Sequence, residues 1–232
     1  MPTDASVGPP SSLVMEEILA AQVQPGASYV GVRVTGKLEI GPGLPQTSFS
    51  QCRIEGTIVT YSPINLDFCI VTGGVYAYDT GGTIVKSLLL GDGQAFRPGT
   101  TNPADVFTLS TPWTVSDTII RIGQGTPPAH VEASQVLGGV GITFRNVVFD
   151  TGGPFNNTQT ADLNFIGEDL LCEDCWFIGY GGYALYSSGS GNVFLRPRFG
   201  RNSAFGLIYP NEPGDPAPIV IEPRYTDGAP IA

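Results

Sequence analysis

The chain is poor in charged residues, and above all in basic ones. Of its 232 residues, 11 are Lys or Arg and 21 are Asp or Glu, so the net charge is −10 and charged residues make up 14%. Roughly a quarter is usual for soluble proteins. Binding to a nucleic acid backbone requires clustered Lys and Arg, so this balance argues against nucleic acid as a partner. A surface of Ser, Thr, Asn and Gly is common in proteins that work outside the cytoplasm or inside assemblies.

Long apolar runs are also absent. No run of 18 apolar residues occurs, so no transmembrane helix and no membrane partner are expected. The first residues, MPTDASVGPPSSLVMEE, lack a basic region, and their short apolar stretch contains Glu16 and Glu17. This pattern predicts no Sec signal peptide, and a protein of this kind would leave a cell by lysis or by a non-Sec route. Hydrophobic residues make up 41%, which excludes disorder throughout.

Cysteine and histidine are few. The four cysteines are Cys52, Cys69, Cys172 and Cys175, and only the last two have the C-x2-C spacing of a zinc half-site. On one extended strand those two would point to opposite faces. We therefore expect buried free thiols, with a disulfide or a metal site as alternatives. The single histidine, His130, follows two prolines and is expected at the surface or against a partner. No metal and no cofactor are predicted.

What the chain does contain is a repeated phrase. VFLRPRFG (193–200) returns as IVIEPRYT (219–226), and looser echoes end at Phe149 and Phe177. Apolar residues at every second position have the period of a strand with one buried face, so Val193, Leu195 and Phe199 are expected on that face. The aromatics fall at 149, 177, 199 and 225. Repeats of twenty-odd residues built from short strands indicate coils stacked into a solenoid.

From Tyr29 onward the sequence consists of short strand patterns separated by Gly-rich turns. The absence of helices between them argues against a βαβ fold. Three segments without sustained alternation, 95–115, 126–136 and 151–160, are interpreted as Pro- and Thr-rich loops that leave one coil and return. An antiparallel sandwich is the alternative, because short strands with frequent turns also describe that class. The repeated phrase favours the solenoid.

The N-terminal residues predict a different element. Residues 1–11 have the composition of a flexible arm. Residues 12–23 are predicted to form a helix, with Ser12 as N-cap and Val14, Ile18 and Ala21 on one apolar face. Such a helix would cover the first coil of a solenoid, or alternatively dock on a partner protein. The predicted domains are therefore an arm and capping helix at 1–28 and a β-helix at 29–232.

ITFRNVVF, CWFIG and the PRF and PRY coils resemble the right-handed parallel β-helix of pectate-lyase-like proteins. This group includes polysaccharide lyases and hydrolases, phage tailspikes and other virion proteins, and the resemblance, one of pattern, covers residues 29–229. It implies an all-β fold with three short parallel strands per coil and side chains stacked in ladders. Phe199 would stack on Tyr225, directly or through one coil, with Arg196 over Glu222 and Arg198 over Arg224. Pro197 and Pro223 should mark strand ends or corners.

Depolymerising members of the group use paired carboxylates, or an arginine base with calcium held by aspartates. The best acidic cluster here comprises Glu168, Asp169, Glu173 and Asp174, with Asp150 one coil earlier. Two carboxylates ~5–9 Å apart could hydrolyse a glycoside. However, the Asn-Thr-Asp and Gly-His-Gly patterns of the polygalacturonase branch are absent.

Three local patterns resemble functional motifs but are better explained as structure. Arg196-Pro197-Arg198 resembles the arginine-proline segments of pectate lyases, but its copy at Pro223-Arg224 indicates a structural repeat. The acidic residues are expected to decorate corners. The sequon at 156–158 is interpreted as a polar loop. No catalytic residue is predicted.

The favoured function is a virion structural protein of a bacteriophage, assembled in the host cytoplasm. It would be a homotrimeric capsid decoration, a cement protein or a tail-associated β-helix that contacts major capsid or tail proteins and a surface glycan. Its contacts are expected at arm 1–11 and at the loops 95–115 and 126–136. The alternatives are a polysaccharide lyase or glycoside hydrolase, and a glycan-binding module without chemistry. The chain is short for a complete β-helix enzyme, which argues against catalysis.

Overall fold

The computed structural model describes residues 1–91, 94–99, 112–122, 131–153, 159–209 and 214–231. About half of these residues are in strands, and each of the pairs formed by the named strands is parallel. The prediction of an all-β fold with parallel pairing is confirmed, and the antiparallel sandwich is wrong. Two short 3-10 turns, Asp4–Ser6 and Ala20–Gln22, are its described helical elements.

The strands form three sheets, named A, B and C. Sheet A has ten described strands in the order β1 (Glu16–Leu19), β3 (Val32–Thr35), β6 (Arg53–Glu55), β9 (Ile70–Val71), β12 (Leu88–Gly91), β15 (Ile119–Ile122), β18 (Val148–Asp150), β21 (Trp176–Phe177), β24 (Arg198–Phe199) and β27 (Arg224–Tyr225). Sheet B has nine, β2 (Ser28–Val30), β5 (Thr47–Ser50), β8 (Ile64–Asp67), β11 (Gly82–Val85), β14 (Trp113–Ser116), β17 (Thr143–Arg145), β20 (Leu171–Glu173), β23 (Val193–Leu195) and β26 (Ile219–Ile221). Sheet C has eight, β4 (Leu38–Ile40), β7 (Ile58–Thr60), β10 (Val75–Tyr78), β13 (Gln94–Gly99), β16 (Val131–Val140), β19 (Gln159–Glu168), β22 (Tyr183–Ser188) and β25 (Gly206–Ile208).

The strand order explains the repeated phrase. From β2 onward the described strands follow one another in the order B, A, C, and each pairs with the equivalent strand of the next coil. The register places Val193 beside Ile219 and Phe199 beside Tyr225, so the two phrases lie on adjacent coils, as predicted. Arg198 lies beside Arg224, also as predicted. This topology is compatible with a parallel β-helix.

The core lies between the three sheets and is built from ladders of like side chains. Phe149, Phe177 and Phe199 are almost completely buried and stack with ring centroids 5.2 and 5.3 Å apart. Such offset stacking adds roughly 0.5–1.5 kcal/mol per pair beyond the area buried. Three of the four echoed aromatics therefore form one stack through consecutive coils, and the fourth, Tyr225, lies beside Phe199 in register.

The corner between sheets B and A has one residue per coil in the left-handed region. The column comprises Gly31, Gln51, Phe68, Lys86, Asp117, Asn146, Asp174, Arg196 and Glu222, with φ between 46° and 66°. The amide of Arg196 donates to the carbonyl of Ile221 in the next coil, and the other amides of the column from Gly31 to Asp174 do the same one coil apart. This backbone bonding offsets the cost of a left-handed residue, ~1–2 kcal/mol each.

The left-handed corner also shifts the phase of the side-chain alternation. Phe194 and Phe199 are both buried, although they are five positions apart, because Arg196 lies between them in the left-handed conformation. Val193 and Leu195 consequently lie on the outer face of sheet B. The prediction that Val193 and Leu195 share the buried face of Phe199 is therefore wrong. Pro197 follows the corner directly, and Pro223 occupies the same place in the next coil, as predicted.

No helix covers the first coil in the described chain. Residues 12–23, predicted as a capping helix, contain strand β1 and the short turn Ala20–Gln22 instead. Ile18 pairs with Val34 at the edge of sheet A, whereas Val14 is 93% exposed. An isolated helix of this length is marginal in water, and a sheet edge offers the same backbone hydrogen bonds together with burial of Ile18. The coiled region thus begins at β1, before Tyr29.

Residues 1–15 form what we call the strap, which lies on the outer face of sheet A. Val7 is 5% exposed and packs with Ile119 and Val148 in a second apolar cluster. Gly8 donates its amide to the carbonyl of Lys86 at 2.8 Å, and Asp4 forms an ion pair with Arg121 at 3.0 Å. The prediction of a flexible arm at 1–11 is wrong, because the outward apolar residues of sheet A provide a docking surface.

The last coil ends in a turn that folds back on its own strand. Tyr225 donates its amide to the carbonyl of Ala229 at 2.9 Å, and Pro230 forms an antiparallel bridge with Arg224. Ile231 packs against the core. Proline has no amide hydrogen to offer a neighbouring strand, so Pro230 protects this edge.

The predicted loops are shorter than the sequence suggested. Strand β13 extends to Gly99 in the first loop and β14 begins at Trp113 within it, β16 begins at Val131 within the second, and β19 begins at Gln159 in the third. Residues 100–111, 123–130 and 154–158 lie outside the described residues, and with them His130 and the sequon at 156–158. Within the described chain, no helix has the length and hydrophobicity needed to cross a membrane.

Candidate functional site

The predicted acidic cluster is divided between two corners of the same coil. Glu168 and Asp169 lie at the end of β19 and at the turn into sheet B, whereas Glu173 and Asp174 lie at the far end of β20. The intervening strand Leu171–Glu173 is three residues long, or ~10 Å. The structure therefore does not gather the four carboxylates into one site.

Arginines bind the carboxylates at the B–A corner. Arg196 donates to both carboxylate oxygens of Asp174, at 2.8 and 2.7 Å, and to Glu173 at 2.9 Å. Arg145 donates to the second oxygen of Glu173 at 3.2 Å. The hydrogen bonds from Arg196 lower the pKa of Asp174. The predicted neighbour of Arg196 was Glu222 of the next coil, but its ion pairs run to the preceding coil, where two carboxylates face it.

Asp150 also forms an ion pair with an arginine. Arg121 donates to its carboxylate at 2.9 Å and to Asp4 of the strap at 3.0 Å. The backbone amide of Gly152 donates to the other oxygen of Asp150 at 2.9 Å. Carboxylates bound by guanidinium groups are suited to fixing coils to one another.

A carboxyl group that the sequence did not single out is buried completely. Asp162, near the start of β19, accepts hydrogen bonds from the Thr151 hydroxyl at 2.8 Å and from the Gly179 amide at 3.0 Å. Burial raises the pKa of Asp162 to about 8, and the negative charge of Asp150 adds to the rise. Burial therefore favours the neutral form of Asp162 at pH 7. A perturbed carboxyl in a cleft is a candidate catalytic group, but Asp162 has no exposed surface, so its role is structural.

Gly179 shows how closely the chain approaches this carboxyl. A Cβ atom built at Gly179 would lie 2.2 Å from Oδ1 of Asp162 and 2.3 Å from the amide nitrogen of Thr151. No side chain fits there, so the sequence must have glycine. The alternation of TADLNF gave no sign of this arrangement, because Asp162 occupies what the sequence pattern marks as an outward position.

The four cysteines are buried free thiols, as expected. Cys52 and Cys69 occupy the inner side of the B–A corner on adjacent coils, and Ser87 takes the same place in the next one. In each, the side chain donates to the strand carbonyl two residues earlier, at 3.1 Å for Cys52, 3.4 Å for Cys69 and 2.8 Å for Ser87. Burial raises the pKa of Cys69 well above its usual value. These thiols serve as small corner donors.

Cys172 and Cys175 do not point to opposite faces as an extended strand would require. Both are buried, because the left-handed residue Asp174 lies between them and returns the chain to the core. Burial raises the pKa of Cys172 well above its usual value. Among the described residues, no group of three or more His, Cys, Asp and Glu has the arrangement of a metal site.

A groove lies between the strap and the outer face of sheet A. Its volume is about 1040 Å³, and its floor includes Arg33, Arg53, Glu55, Phe68 and Ile70. Nη2 of Arg33 and Nε of Arg53 each donate to Glu55 at 2.7 Å, and the two arginines lower the pKa of Glu55. The pair of guanidinium groups around one carboxylate leaves a net positive charge beside an aromatic ring.

The groove was not visible in the sequence, because its walls come from three coils and from a strap that was predicted to be free. In chemical terms it offers N–H donors and apolar surface, and its carboxylates, Glu55 and Asp4, are each bound by arginine. In comparisons with known proteins, no family model, no curated protein and no solved structure matches the chain.

Proposed function

We propose that the protein is a non-catalytic structural component of a bacteriophage virion, built on a right-handed parallel β-helix. It would act as a homotrimeric capsid decoration, cement or tail-associated protein, assembled in the host cytoplasm with major capsid or tail proteins as partners. The observation that carries the proposal is the arginine binding of Glu173 and Asp174. The carboxylates best placed for chemistry serve instead to tie coils together.

The fold supports a structural role. Connections between parallel strands are right-handed in ~98% of cases, so three parallel sheets visited in the order B, A, C favour a right-handed coil. Stacked rings and interlocked ion pairs favour a stiff rod. Sheet B presents an outer face of mostly short or aliphatic side chains, which suits lateral packing against a symmetry mate.

Two measurements test the proposal. Mass spectrometry and immunogold labelling of purified phage particles should detect the protein on the capsid or tail, with a copy number that is a multiple of three. The recombinant protein should leave acidic and neutral polysaccharides uncleaved. Cleavage that is lost in Glu173→Gln/Asp174→Asn and kept in Glu39→Gln, an exposed carboxylate elsewhere, would establish a lyase or hydrolase instead.

The strap groove favours a second candidate, a glycan-binding module without chemistry. Guanidinium donors beside an aromatic ring are a common way to hold sugar hydroxyl and carboxylate groups. Titration of immobilised glycans with the wild-type protein and with Arg33→Ala/Arg53→Ala would test this function. Equal binding by both proteins, or none by either, counts against it. Arg201→Ala, outside the groove, is the control.

A further inference from the structure

The outer face of sheet B changes its chemistry along the stack. In the first coils one outward column consists of short polar side chains, namely Ser28, Ser48, Asn65, Thr83, Thr114 and Thr143. In the last three coils the outward positions become aliphatic, except for Glu173. The aliphatic patch comprises Leu171, Val193, Leu195, Ile219 and Ile221. Ile219 is 54% and Ile221 is 41% exposed.

Packing of the core does not explain why these outward positions are aliphatic. The inward position of each of the same strands is filled by Cys172, Phe194 or Val220, which pack in the central cluster. The patch residues are adjacent in register, Leu171 to Val193 to Ile219 and Leu195 to Ile221. A contiguous aliphatic patch exposed to water is unfavourable, and in soluble proteins it marks a contact surface.

We propose that the aliphatic patch is the centre of a contact between copies of this chain, set side by side with parallel coil axes and equal coils at one level. The number of copies, three, rests on the proposed function. In this arrangement every patch meets the patch of a neighbour. An antiparallel copy would instead place it against the polar column at Ser28 and Ser48.

The dimensions of the face fit a second copy. Nine described strands at ~4.8 Å give a height of about 38 Å, and a strand with its flanking corner residues is ~17 Å wide. The product, roughly 650 Å² in projection, approaches the ~800 Å² that one partner contributes to a stable interface. A neighbour with the same coil spacing keeps the side-chain rows in phase over this whole length.

The surroundings of the patch are those of an interface rim. Arg145, Glu173, Arg196 and Asp174 form a continuous ion-paired row beside it. The two arginines and two carboxylates neutralise one another within the chain, so approach of a second copy leaves no charge without its counter-ion. An apolar centre bordered by satisfied polar groups is the usual anatomy of a protein contact.

The test compares two charge variants by sedimentation equilibrium. Ile219→Asp/Ile221→Asp should weaken association by at least ~100-fold, while circular dichroism stays unchanged because both residues are exposed. Leu19→Asp is the matched control: Leu19 is 58% exposed but belongs to sheet A, so the trimer should persist. A patch variant that associates as the wild type does would overturn the inference.

A cysteine variant tests the orientation. Ile221→Cys should form disulfide-linked pairs with itself upon mild oxidation, because equal levels meet, and the four native thiols are buried. If only a mixture of Ile221→Cys and Val30→Cys cross-links, the chains are antiparallel and the inference is wrong. A wild-type chain that is monomeric at ~100 µM also overturns it, whereas detection in particles would still support the virion assignment.

Discussion

Because the folded protein keeps the buried carboxyl of Asp162 protonated, the protein should become less stable as the pH rises. In the folded state the pKa of Asp162 is about 8, whereas in the unfolded chain it is ~3.9. Between these values the folded state keeps a proton that the unfolded state has released, so the free energy of unfolding falls with pH. Each pH unit removes up to ~1.4 kcal/mol, which limits the total loss to ~6 kcal/mol.

Asp162→Asn isolates this contribution. An Asn side chain reproduces the neutral acid: its amide can donate to the Thr151 hydroxyl and its oxygen can accept from the Gly179 amide. We expect the variant to match the wild type near pH 4.5 and to be more stable by several kcal/mol at pH 8. Urea denaturation at four or five pH values measures the difference.

Asp162→Ala serves as the second variant. It should also lose the pH slope, but it should be less stable than Asp162→Asn by ~1–3 kcal/mol at every pH, because the Gly179 amide is left without an acceptor. If wild type and Asp162→Asn show parallel stability curves from pH 4.5 to 8, the carboxyl is not held neutral and the reasoning fails.

Three further predictions concern the corners and the strap. Cys69→Ser should change stability by less than ~1 kcal/mol, because Ser87 fills the equivalent place; in the native wild type, a thiol reagent should label none of the four buried cysteines. Gln51 is exposed and has φ at 53°. In thermal melting, Gln51→Asn should be more stable than the wild type by ~0.5 kcal/mol and Gln51→Val less stable by ~1–2 kcal/mol, because Asn tolerates the left-handed region and a β-branched residue does not. Val7→Asp should lower the free energy of unfolding by ~2 kcal/mol and make the strap sensitive to proteases, because the strap leaves sheet A. Deletion of residues 1–8 removes the same contacts, so a far larger loss of stability in Val7→Asp than in the deletion would contradict this explanation.

The repeat of the sequence located the coils, but not the inner side of each strand. Phe149, Phe177 and Phe199 were predictable because one residue type recurs at one place in consecutive coils. The left-handed corner could not be predicted, because its positions hold residues as different as Phe68, Lys86 and Glu222. Backbone hydrogen bonds hold this corner, so side-chain identity carries little sign of it.

The N-terminal prediction failed for a different reason. Ile18 and its neighbours have helical spacing, yet the edge of sheet A competes for the same segment, and Ile18 pairs with Val34 there. The docking of the arm at 1–11 was missed because its partners lie far along the chain, at Ile119 and Arg121. The sequence did not show the placement of the acidic residues either, since Glu173 and Asp174 are close in sequence to Glu168 but lie at the other corner of the same coil.

The strap has a consequence for the order in which the molecule assembles. A stack whose coils contact only their neighbours can form from any point and fray from its ends. The strap is an exception to neighbour-only contacts, because Asp4 contacts Arg121 at a separation of 117 residues and Val7 packs against residues of several coils. The strap is therefore among the last segments to find its place, after β18 has formed. Its docking fastens coils that share no direct contact, so the folded stack should unfold as one unit.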